Sequence, residues 1–447
     1  MRLTVIGTGY VGLVHAACMA DMGHEVLGVD RDADRIAALS RGTVPFYEPG
    51  LHGLLNRNLK SGRLRFARSL ADAARFARTH FVCVGTPQQA DSHAADLRFV
   101  DGVMDELAAH LRDQQGWALV VGKSTVPVGT ATRLADRLGR VAPLAEIAWN
   151  PEFLREGFAV HDTLRPERLV AGVVSPRADA TLRDIYAPMV HAGTPFISTD
   201  PATAELVKLA SNSFLATKIS FINAMAELCD AMGADVVTLA EAVGQDPRIG
   251  HPFLQPGLGF GGSCLPKDIR ALVARAEELG LGTSVGFLRE VDEINMRQRL
   301  RTITLAEQLA GGSFADRNVA VLGAAFKPGS DDVRDSPALA VADGIRCQGA
   351  RVRVHDPEAA DRGRAVLPAL QFTLDVPKTC EEADVVLHLT AWPEYGAIDP
   401  AELAAVVRRP VILDARHTLD AARWRSSGWR FRAFGRPSPD DPPDGAW

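Results

Sequence analysis

The sequence predicts an α/β protein in which two Rossmann-like, doubly wound, parallel-sheet domains are joined by a helical central domain. Three observations support this prediction. The first 30 residues alternate strand, glycine turn, helix and strand, residues 204–232 form a long helical pattern without glycine or proline, and a second strand–glycine pattern begins at Asn318. Alternating strands and helices produce a parallel sheet with helices on both faces. A chain of 447 residues has room for two or three such domains.

The first domain is predicted over residues 1–200. Leu3–Ile6 reads as a buried strand, and an apolar helix follows the glycine turn and ends near Met22. Glu25–Val29 is the second strand. Further strands of the same sheet are predicted in three apolar runs, at 81–84, 117–121 and 147–149.

The central domain is predicted over residues 201–300. Its main element is a long helix at 204–232, and two more helical patterns lie at 267–279 and 284–309. A long apolar helix of this kind often bridges domains or forms a dimer interface.

The third domain is predicted over residues 301–435. Strands at 318–323, 351–355, 385–389 and 411–413, with a helix near 338–347, indicate a second, divergent Rossmann-like unit. The final segment, 436–447, is rich in proline and aspartate and is predicted to be a disordered tail.

The composition bounds the function. A hydrophobic content of 47% with 23% charged residues is typical of a globular protein, and a net charge of −6 argues against a nucleic-acid binder. No apolar run approaches the ~20 residues that a membrane helix needs, and no secretory signal is visible, so we expect a cytoplasmic protein. The six cysteines form no Cys-x-x-Cys pair and no cluster with histidine, so neither disulfides nor a metal site is expected. Five of them lie in apolar or helical contexts typical of buried residues.

The glycine turn at 7–12 has the spacing Gly-x-Gly-x-x-Gly between a strand and a helix, which is typical of a dinucleotide site. Asp30 ends the second strand, 18 residues after Gly12, where a carboxylate can bind ribose hydroxyls. A carboxylate repels the extra phosphate of NADP, so NAD is favoured. Arg31 and Arg35 leave NADP open, and a glycine turn without a ligand is the structural alternative.

Cys264 lies in the segment 259–268, between glycines and Pro266, directly before a helical pattern. The N-terminus of that helix and the neighbouring Lys267 both favour the thiolate. Beside a dinucleotide site, such a thiol suggests covalent catalysis on a substrate that NAD has oxidised to an aldehyde.

Polar residues also interrupt apolar patterns at helical spacing. Glu152 and Glu156 are four residues apart after a strand, and Lys208 and Asn212 are four apart in the long helix. A buried lysine or asparagine needs a partner. Functional sites explain both pairs, and so do solvated helix faces.

In the third domain, Lys327, Arg334 and Arg416 lie near predicted strand ends, the edge at which open α/β sheets bind ligands. Together they could neutralise a second, phosphorylated ligand. Solvated surface charges are the alternative for each.

The chain resembles the UDP-glucose/GDP-mannose dehydrogenase family over nearly its whole length, to about Arg432. The matching segments are Gly-Thr-Gly-Tyr-Val-Gly at 7–12, Phe-Tyr-Glu-Pro-Gly-Leu at 46–51, Val-Gly-Thr-Pro at 84–87, Ser-Thr-Val-Pro at 124–127, Asn-Pro-Glu-Phe-Leu-Arg-Glu-Gly at 150–157, Lys-Leu-Ala-Ser-Asn at 208–212, Asp-Pro-Arg-Ile-Gly at 246–250, the Cys264 segment at 259–268 and Phe-Lys-Pro-Gly at 326–329. Residues 246–250 with 253–257 look more like the UDP-glucose branch than the GDP-mannose branch.

The resemblance implies oxidation of a nucleotide-sugar primary alcohol to a carboxylate, with two NAD⁺ and one water. Cys264 would hold the aldehyde as a thiohemiacetal, and a second hydride transfer would give a thioester that water hydrolyses. UDP-glucose is the expected substrate and UDP-glucuronate, a polysaccharide precursor, the product. GDP-mannose or a UDP-N-acetylhexosamine is the alternative substrate, and a two-electron dehydrogenase or a non-catalytic nucleotide-sugar-binding protein is the alternative function.

The resemblance also implies residue roles. Lys208 would stabilise the oxyanion, and Asn212 would donate a hydrogen bond beside it. Asp268 would orient Lys208 or the hydrolytic water. Glu152 is a candidate acid or base, and Thr125 would position a water or the reacting oxygen.

Two sets of binding residues follow from the motifs and the resemblance. The residues expected to bind NAD are Gly7, Gly9, Tyr10, Val11, Gly12, Asp30, Arg35, Gly85, Thr86, Pro87, Ser124, Thr125, Glu156, Lys267 and Arg334. The residues expected to bind the UDP-sugar are Glu152, Phe153, Leu154, Lys208, Asn212, Arg248, Gln255, Gly257, Phe260, Gly261, Lys327 and Arg416. In the family, the residue that matches Arg248 reaches the partner subunit's site, so a homodimer is expected.

Overall fold

The computed structural model describes residues 1–437 of the chain. These residues form two compact units. The first unit contains Met1–Ser211 together with Arg270–Gly282, and the second contains Asn212–Ile269 together with the chain from Thr283 onward. Two long helices therefore begin in one unit and end in the other.

The first unit is built on an eight-stranded sheet. Its strands are β1 (Arg2–Ile6), β2 (Glu25–Val29), β3 (Leu64–Ala67), β4 (Thr79–Val82), β5 (Ala118–Gly122), β6 (Ala145–Trp149), β7 (Leu169–Gly172) and β8 (Phe196–Thr199). Its helices are α1 (Tyr10–Asp21), α2 (Ala33–Ser40), α3 (Leu51–Lys60), α4 (Leu70–Phe76), α5 (Arg98–Arg112), α6 (Thr130–Val141), α7 (Ala159–Leu164), α8 (Pro176–Ile185) and α9 (Ala187–His191).

The strand order is β3-β2-β1-β4-β5-β6-β7-β8, and the predicted doubly wound fold is confirmed. Successive residues of a strand enter different cores: Leu119 and Val121 of β5 pack in one cluster, and Ala118 and Val120 in another. Such alternation places one core on each face of the sheet. Burial on both faces explains why these strands read as continuous apolar runs.

The sequence predicts a parallel sheet, but the observed sheet is not parallel throughout. β6 and β7 pair antiparallel through Trp149 and Gly172, while β7 and β8 pair parallel to each other. These last two strands were not predicted, and neither was β3. β7 is only four residues long and β8 is partly exposed, so neither gives a clear periodic signal.

Four helices follow: α10 (Pro201–Met232), α11 (Val236–Gly244), α12 (Leu265–Glu278) and α13 (Phe287–Ala310). α10 is continuous over 32 residues and begins at Pro201, a residue suited to the first helical turn. The predicted helical character of this region is confirmed. The boundaries of α10, α12 and α13 lie within three residues of the predicted ones, whereas α11 was not predicted.

The second unit contains a six-stranded sheet that is parallel throughout, in the order β11-β10-β9-β12-β13-β14. Its strands are β9 (Asn318–Leu322), β10 (Arg351–His355), β11 (Gln371–Thr373), β12 (Val385–His388), β13 (Val411–Asp414) and β14 (Arg430–Ala433). Its helices are α14 (Pro337–Cys347), α15 (Ala360–Val366), α16 (Val376–Cys380), α17 (Pro393–Gly396), α18 (Pro400–Ala404) and α19 (Ala421–Ser426). The order repeats that of the first six strands of the other sheet, which confirms a second Rossmann-like unit.

One expectation about the cysteines is wrong, and most of the predicted tail lies outside the described residues. Cys347 is exposed, not buried as its helical context suggested, whereas Cys18, Cys83, Cys229 and Cys380 are buried. The predicted tail at 436–447 lies outside the described residues except for Arg436 and Pro437, and Arg436 pairs with Asp235 at 3.2 Å. Within residues 1–437, no helix has the length and apolarity needed to span a bilayer.

Candidate active site

The glycine turn in the first unit has the geometry of a phosphate-binding turn. Gly7 has a φ of +89°, and a Cβ on Gly12 would lie 1.8 Å from the Gly7 carbonyl oxygen, so both positions require glycine. α1 begins directly after Gly9, and no side chain caps it. The N–H groups of its first turn, at Tyr10, Val11 and Gly12, are therefore available to a phosphate.

Asp30 lies at the end of β2, beside this turn. Its Oδ2 accepts hydrogen bonds from the backbone N–H of Thr8 at 2.8 Å and from the Thr8 hydroxyl at 3.1 Å. Burial alone would raise the pKa of Asp30, but the hydrogen bonds from Asp32 and Thr8 and the charge of Arg35 lower it below its ordinary value. The ionised carboxylate fits the ribose hydroxyls of a dinucleotide.

The two arginines that kept NADP open are both engaged by the protein. Arg35 contacts Asp30 at 3.2 Å and Asp32 at 3.8 Å. Arg31 lies over the ring of Phe99, 5.2 Å from its centroid. Because Arg35 faces carboxylates, the turn fits NAD better than NADP.

The loops after β4 and β5 are tied together at the same sheet edge. The Thr86 hydroxyl donates to the Thr125 carbonyl at 2.7 Å, and the Ser124 hydroxyl donates to the Val84 carbonyl at 2.6 Å. Gly85 has no heavy atom within 4 Å of a Cβ position, so its backbone is open to a close approach. Pro87 follows in the same loop, which continues to α5. The parallel strands thus deliver these predicted cofactor residues to one edge, as the doubly wound fold requires.

Glu152 and Lys208 form a buried ion pair in the first unit. Lys208 Nζ lies 3.0 Å from Glu152 Oε1, and the two residues are 4% and 9% exposed. Glu152 Oε2 also accepts from the Leu154 N–H at 2.8 Å, and Lys208 Nζ lies 5.8 Å from the centroid of the Phe153 ring. This arrangement can hold or pass a proton beside a cation.

The solvated-face alternatives for these residues are wrong. Glu156 and Asn212 are 8% and 7% exposed, as buried as Glu152 and Lys208. Helical spacing is also the wrong description of the glutamates, because residues 151–155 form an extended loop and not a helix.

A second buried lysine lies behind the ion pair. Lys123 Nζ donates to Asn150 Oδ1 at 2.9 Å, and the Tyr186 hydroxyl donates to the same oxygen at 2.6 Å. Burial lowers the pKa of Lys123 to about 8, against the opposing effects of Cys83 and Glu152. No role was predicted for Lys123, although a lysine that directly follows the buried strand β5 is the signal that could have found it.

Glu48 was also missed. It is buried and accepts from the N–H groups of Gly157 and Ala159, each at 2.7 Å, and from the hydroxyl of Tyr10. The Tyr10 side chain therefore faces Glu48, and its backbone N–H is the part available to a cofactor. Glu48 fixes the end of the loop that carries Glu152, and it lies in a motif already singled out at 46–51.

Cys264 lies in the second unit at the start of α12. It is exposed, α12 begins at Leu265, and the Cys264 carbonyl accepts the first helical hydrogen bond, from Asp268 at 2.9 Å. Asp268 is buried one turn further along. Its Oδ2 accepts from Asn212 Nδ2 and its Oδ1 from Lys267 Nζ, both at 2.6 Å. The structure thus brings Asn212, Lys267 and Asp268 together next to the turn that bears the thiol.

The loop before Cys264 is held against the second sheet. Asn223 and Gln298 bind the backbone of Gly257, at 2.8 and 2.9 Å, and Asn295 binds both the N–H and the carbonyl of Phe260. A Cβ on Gly261 would lie 2.1 Å from the Asp335 carbonyl oxygen, so the loop packs there only with glycine. These buried amides preorganise the predicted substrate loop.

Arg416 follows β13 beneath this loop. Its Nε donates to the Leu389 carbonyl at 2.7 Å and its Nη1 to the Gly259 carbonyl at 3.2 Å. Its Nη2 is buried and has no hydrogen-bond partner among the described residues. Burial lowers the pKa of Arg416 to about 10, with Asp414 opposing the shift. Arg416 is half-buried, and a guanidinium with an unpartnered donor fits an anionic ligand such as a diphosphate. Because its other donors bind backbone carbonyls, Arg416 is not a freely solvated surface charge.

Other predicted substrate and cofactor residues are more exposed. The side chain of Arg248 is 87% exposed and pairs with Asp246, and Gln255 is exposed. The Arg334 side chain is 62% exposed and pairs with Asp332 at 2.6 Å. Lys327 is half-buried, with its Nζ 5.6 Å from the centroid of the Phe326 ring.

The second unit repeats the topology but not the dinucleotide site. A Cβ on Gly323 would lie 2.4 Å from Thr390, and Thr390 donates to the Ala325 carbonyl. Asp356, which ends β10 as Asp30 ends β2, is fully buried, and its Oδ2 accepts from Ala324, Ala325 and Trp392. Because Asp356 is fully buried, its carboxylate is not accessible to ribose hydroxyls as that of Asp30 is, so this unit fits a different ligand.

The first unit therefore has the fold and the glycine turn typical of an NAD-dependent dehydrogenase, and the second carries, in Arg416, a guanidinium suited to an anionic ligand. Family models extend this conclusion. The chain belongs to the UDP-glucose/GDP-mannose dehydrogenase family, matching its NAD binding domain at residues 1–190, its central domain at 202–297 and its UDP binding domain at 320–421. It is thus an NAD-dependent oxidoreductase, and the family resemblance seen in the sequence is confirmed.

Individual relatives of this chain support the same family assignment. The chain is 40% identical over 441 residues to UDP-glucose 6-dehydrogenase of Rhizobium meliloti, covering 98% of this chain and 100% of that protein. It is 42% identical over 449 residues to UDP-glucose 6-dehydrogenase of Pseudomonas aeruginosa, covering 98% of each. Among solved structures, it is similar to a UDP-glucose dehydrogenase from Pyrobaculum islandicum, with a TM-score of 0.88, 39% identity and coverage of 97% and 96%. It is also similar to a UDP-D-ManNAc dehydrogenase from Pyrococcus horikoshii, with a TM-score of 0.84, 28% identity and coverage of 98% and 99%.

Proposed function

We propose that this protein oxidises UDP-glucose to UDP-glucuronate, with two NAD⁺ consumed and a covalent intermediate on Cys264. The observation that carries the covalent step is the exposed thiol at the start of α12, one turn before the buried Asp268. Full-length relatives at 40% and 42% identity that are named UDP-glucose 6-dehydrogenase support the substrate.

In the first step the C6 alcohol loses a hydride and a proton and becomes an aldehyde. NAD⁺ bound at the glycine turn supplies the hydride acceptor. Glu152, buried beside Lys208 at 3.0 Å, is placed to take the hydroxyl proton, and the lysine cation stabilises the developing negative oxygen.

The second oxidation explains the need for a thiol. An aldehyde is a poor hydride donor until a nucleophile adds to its carbonyl carbon. The Cys264 thiolate forms a C–S bond to that carbon, which gives a thiohemiacetal alkoxide. Transfer of a second hydride from this carbon to a second NAD⁺ leaves a thioester. Water then adds to the thioester, the C–S bond breaks, and the carboxylate and the thiol are released.

Asn212 and Asp268 support this covalent stage. The bond from Asn212 Nδ2 to Asp268 fixes the amide, and Lys267 holds the other carboxylate oxygen. Asp268 lies on the same face of α12 as Cys264, one turn away, where it can orient the hydrolytic water. Thr125, half-buried at the edge of the first sheet, has the hydroxyl that we assign to positioning the water or the reacting oxygen.

The UDP moiety is assigned to the second unit. Arg416 offers its vacant, buried Nη2 to the diphosphate, and Lys327 adds a second cation after β9. The backbone of the loop at 255–261, held by Asn223, Asn295 and Gln298, borders the same region and is proposed to contact the sugar.

We also propose that two copies associate through α10. Phe214, Phe221 and Leu228 are spaced seven residues apart on this helix and are 67%, 46% and 47% exposed. A heptad stripe of this kind is typical of helix pairing, and a second copy of α10 presents the matching stripe. In such a dimer, the exposed Arg248 of one chain is proposed to reach the active site of the partner chain. Sedimentation should show a dimer that Phe221→Glu dissociates, and an unchanged mass would refute the interface.

The function is tested by counting NADH formed with a panel of UDP-glucose, UDP-N-acetylhexosamines and GDP-mannose. UDP-glucose should react fastest and yield two NADH per sugar consumed. A ratio of one would refute the thioester route. Faster reaction of a UDP-N-acetylhexosamine would transfer the assignment to that second candidate, which the structural similarity to the Pyrococcus horikoshii UDP-D-ManNAc dehydrogenase favours.

A further inference from the structure

A buried carboxylate of the first unit has no role in the reaction described above. Glu205 lies on α10, one turn before Lys208, and is only 2% exposed. Its Oε2 accepts from the N–H of Gly129 at 2.7 Å, and its Oε1 accepts from the N–H of Ala131 at 2.6 Å. Glu205 therefore caps the N-terminus of α6 from α10. The N-cap residue of α6 is Gly129, which has no side chain that could do so.

A residue of α12 also binds this turn. Arg275 Nε donates to the Val128 carbonyl at 3.1 Å, and its Nη1 pairs with Glu278. The turn 128–131 is thus bonded to the helix that carries Lys208 and to the helix that starts after Cys264. It also directly follows the segment that carries Thr125.

The contacts favour a carboxylate over a carboxylic acid. Each oxygen accepts one backbone N–H, and protonation weakens one oxygen as an acceptor and adds an O–H donor to a site that already supplies donors. Burial raises the pKa of Glu205 to about 7, partly offset by the N–H groups of Ala131 and Gly129 and by the Arg275 charge. Asp200, just before α10, acts in the same direction as burial. The acceptor form is therefore gained as the pH rises through neutrality.

We propose that Glu205 is a positioning residue for the oxidation: its ionised carboxylate fixes the turn 128–131, and with it Thr125, in register with Lys208 on α10. The assignment rests on the proposed function, because Thr125 and Lys208 take their roles from it. Glu205 itself touches neither substrate nor cofactor in this assignment.

The test compares Glu205→Gln with wild type in NADH formation from pH 5.5 to 9. The amide keeps the shape but replaces one acceptor by a donor facing an N–H group. We expect kcat at pH 8 to fall roughly 10- to 100-fold, because small displacements of reacting groups carry costs of this order. The KM values for NAD⁺ and UDP-glucose should stay within about twofold. The wild-type increase of kcat through pH 7 should be absent from the variant.

Two further measurements separate positioning from a purely structural role. Hydrogen exchange at the amides of 129–131 should be faster in Glu205→Gln than in wild type, and more so at pH 8 than at pH 6. Glu106→Gln, the same change at an exposed site on α5, should alter neither exchange there nor kcat.

Loss of thermal stability in Glu205→Gln with unchanged kcat and an unchanged pH profile would overturn the proposal. So would unchanged exchange at 129–131. If wild-type protein reduced NAD⁺ with none of the nucleotide sugars, the proposed function would fail, while the exchange experiment would still decide whether Glu205 fixes this turn.

Discussion

Replacing Lys123 with methionine tests whether the protein keeps a charged lysine buried behind the Glu152–Lys208 pair. Lys123 is 7% exposed, and burial lowers its pKa from 10.5 to about 8. Since each pKa unit corresponds to about 1.4 kcal/mol, the charged form costs the folded state about 3 kcal/mol at pH 7. Methionine removes this cost and leaves Asn150 Oδ1 bonded to the Tyr186 hydroxyl.

The sign of the pH dependence follows from the lowered pKa. The folded protein binds the proton of Lys123 less tightly than the unfolded chain does. The unfolding free energy of wild type therefore decreases as the pH falls from 10.5 to about 8. Conversely, raising the pH from 7 to 9.5 should add about 2 kcal/mol to the unfolding free energy of wild type relative to Lys123→Met. The lost charged hydrogen bond to Asn150, worth about 1.5–3 kcal/mol, offsets the gain of the variant at pH 7, so the two proteins should have similar stability there.

The assay is urea unfolding of both proteins at pH 7, 8, 9 and 9.5. Taking the difference between them at each pH cancels the titration of all other groups. Lys60→Met, the same change at an exposed lysine of α3, is the control and should show no such pH dependence. A difference between Lys123→Met and wild type that is constant from pH 7 to 9.5 would refute the reasoning, because it would mean that the native environment does not disfavour the charge.

Three further predictions concern the site directly. Cys264→Ser should abolish sustained turnover while the Kd for NAD⁺, measured by fluorescence, stays unchanged; a wild-type steady-state rate would remove the thiol from the mechanism. Asp30→Ala should raise the KM for NAD⁺ about tenfold or more, since a charged hydrogen bond is worth about 1.5–3 kcal/mol, and an unchanged KM would contradict its ribose contact. Arg416→Met should raise the KM for UDP-glucose by a similar factor with little effect on the Kd for NAD⁺, and calorimetry with UDP alone should show the same loss; equal UDP affinity would exclude Arg416 from the diphosphate site.

Much of the fold could be predicted because its signals are local. Glu25–Val29 and Arg351–His355 have the predicted boundaries, since each strand contains β-branched valines and is followed directly by an aspartate, Asp30 or Asp356. The glycine turn was equally legible, because Gly7 and Gly12 are required by backbone geometry within a dozen residues. β7 and β8 were not predicted because short or half-exposed strands have little periodicity, and their reversed direction follows from the way β7 pairs with β6 through Trp149 and Gly172.

The polar residues show where local reasoning stops. Helical spacing placed Glu152 and Glu156 on one helix face, yet they lie on a loop fixed by Glu48, a residue more than 100 positions away. Burial excluded the solvated interpretation of Lys208, and burial is a property of the packed molecule.

The sequence by itself determined the two Rossmann-like units, the helical centre, the NAD-binding turn and the unusual setting of Cys264, because each depends on residue types within a short segment. Only the tertiary structure decided which charges are paired. It joined Glu152 to Lys208, Asn212 to Asp268, and Glu205 to the turn before α6. Ionisable groups with no local signal become coupled when folding removes them from water, since a buried charge must then find its partner wherever the chain has placed one.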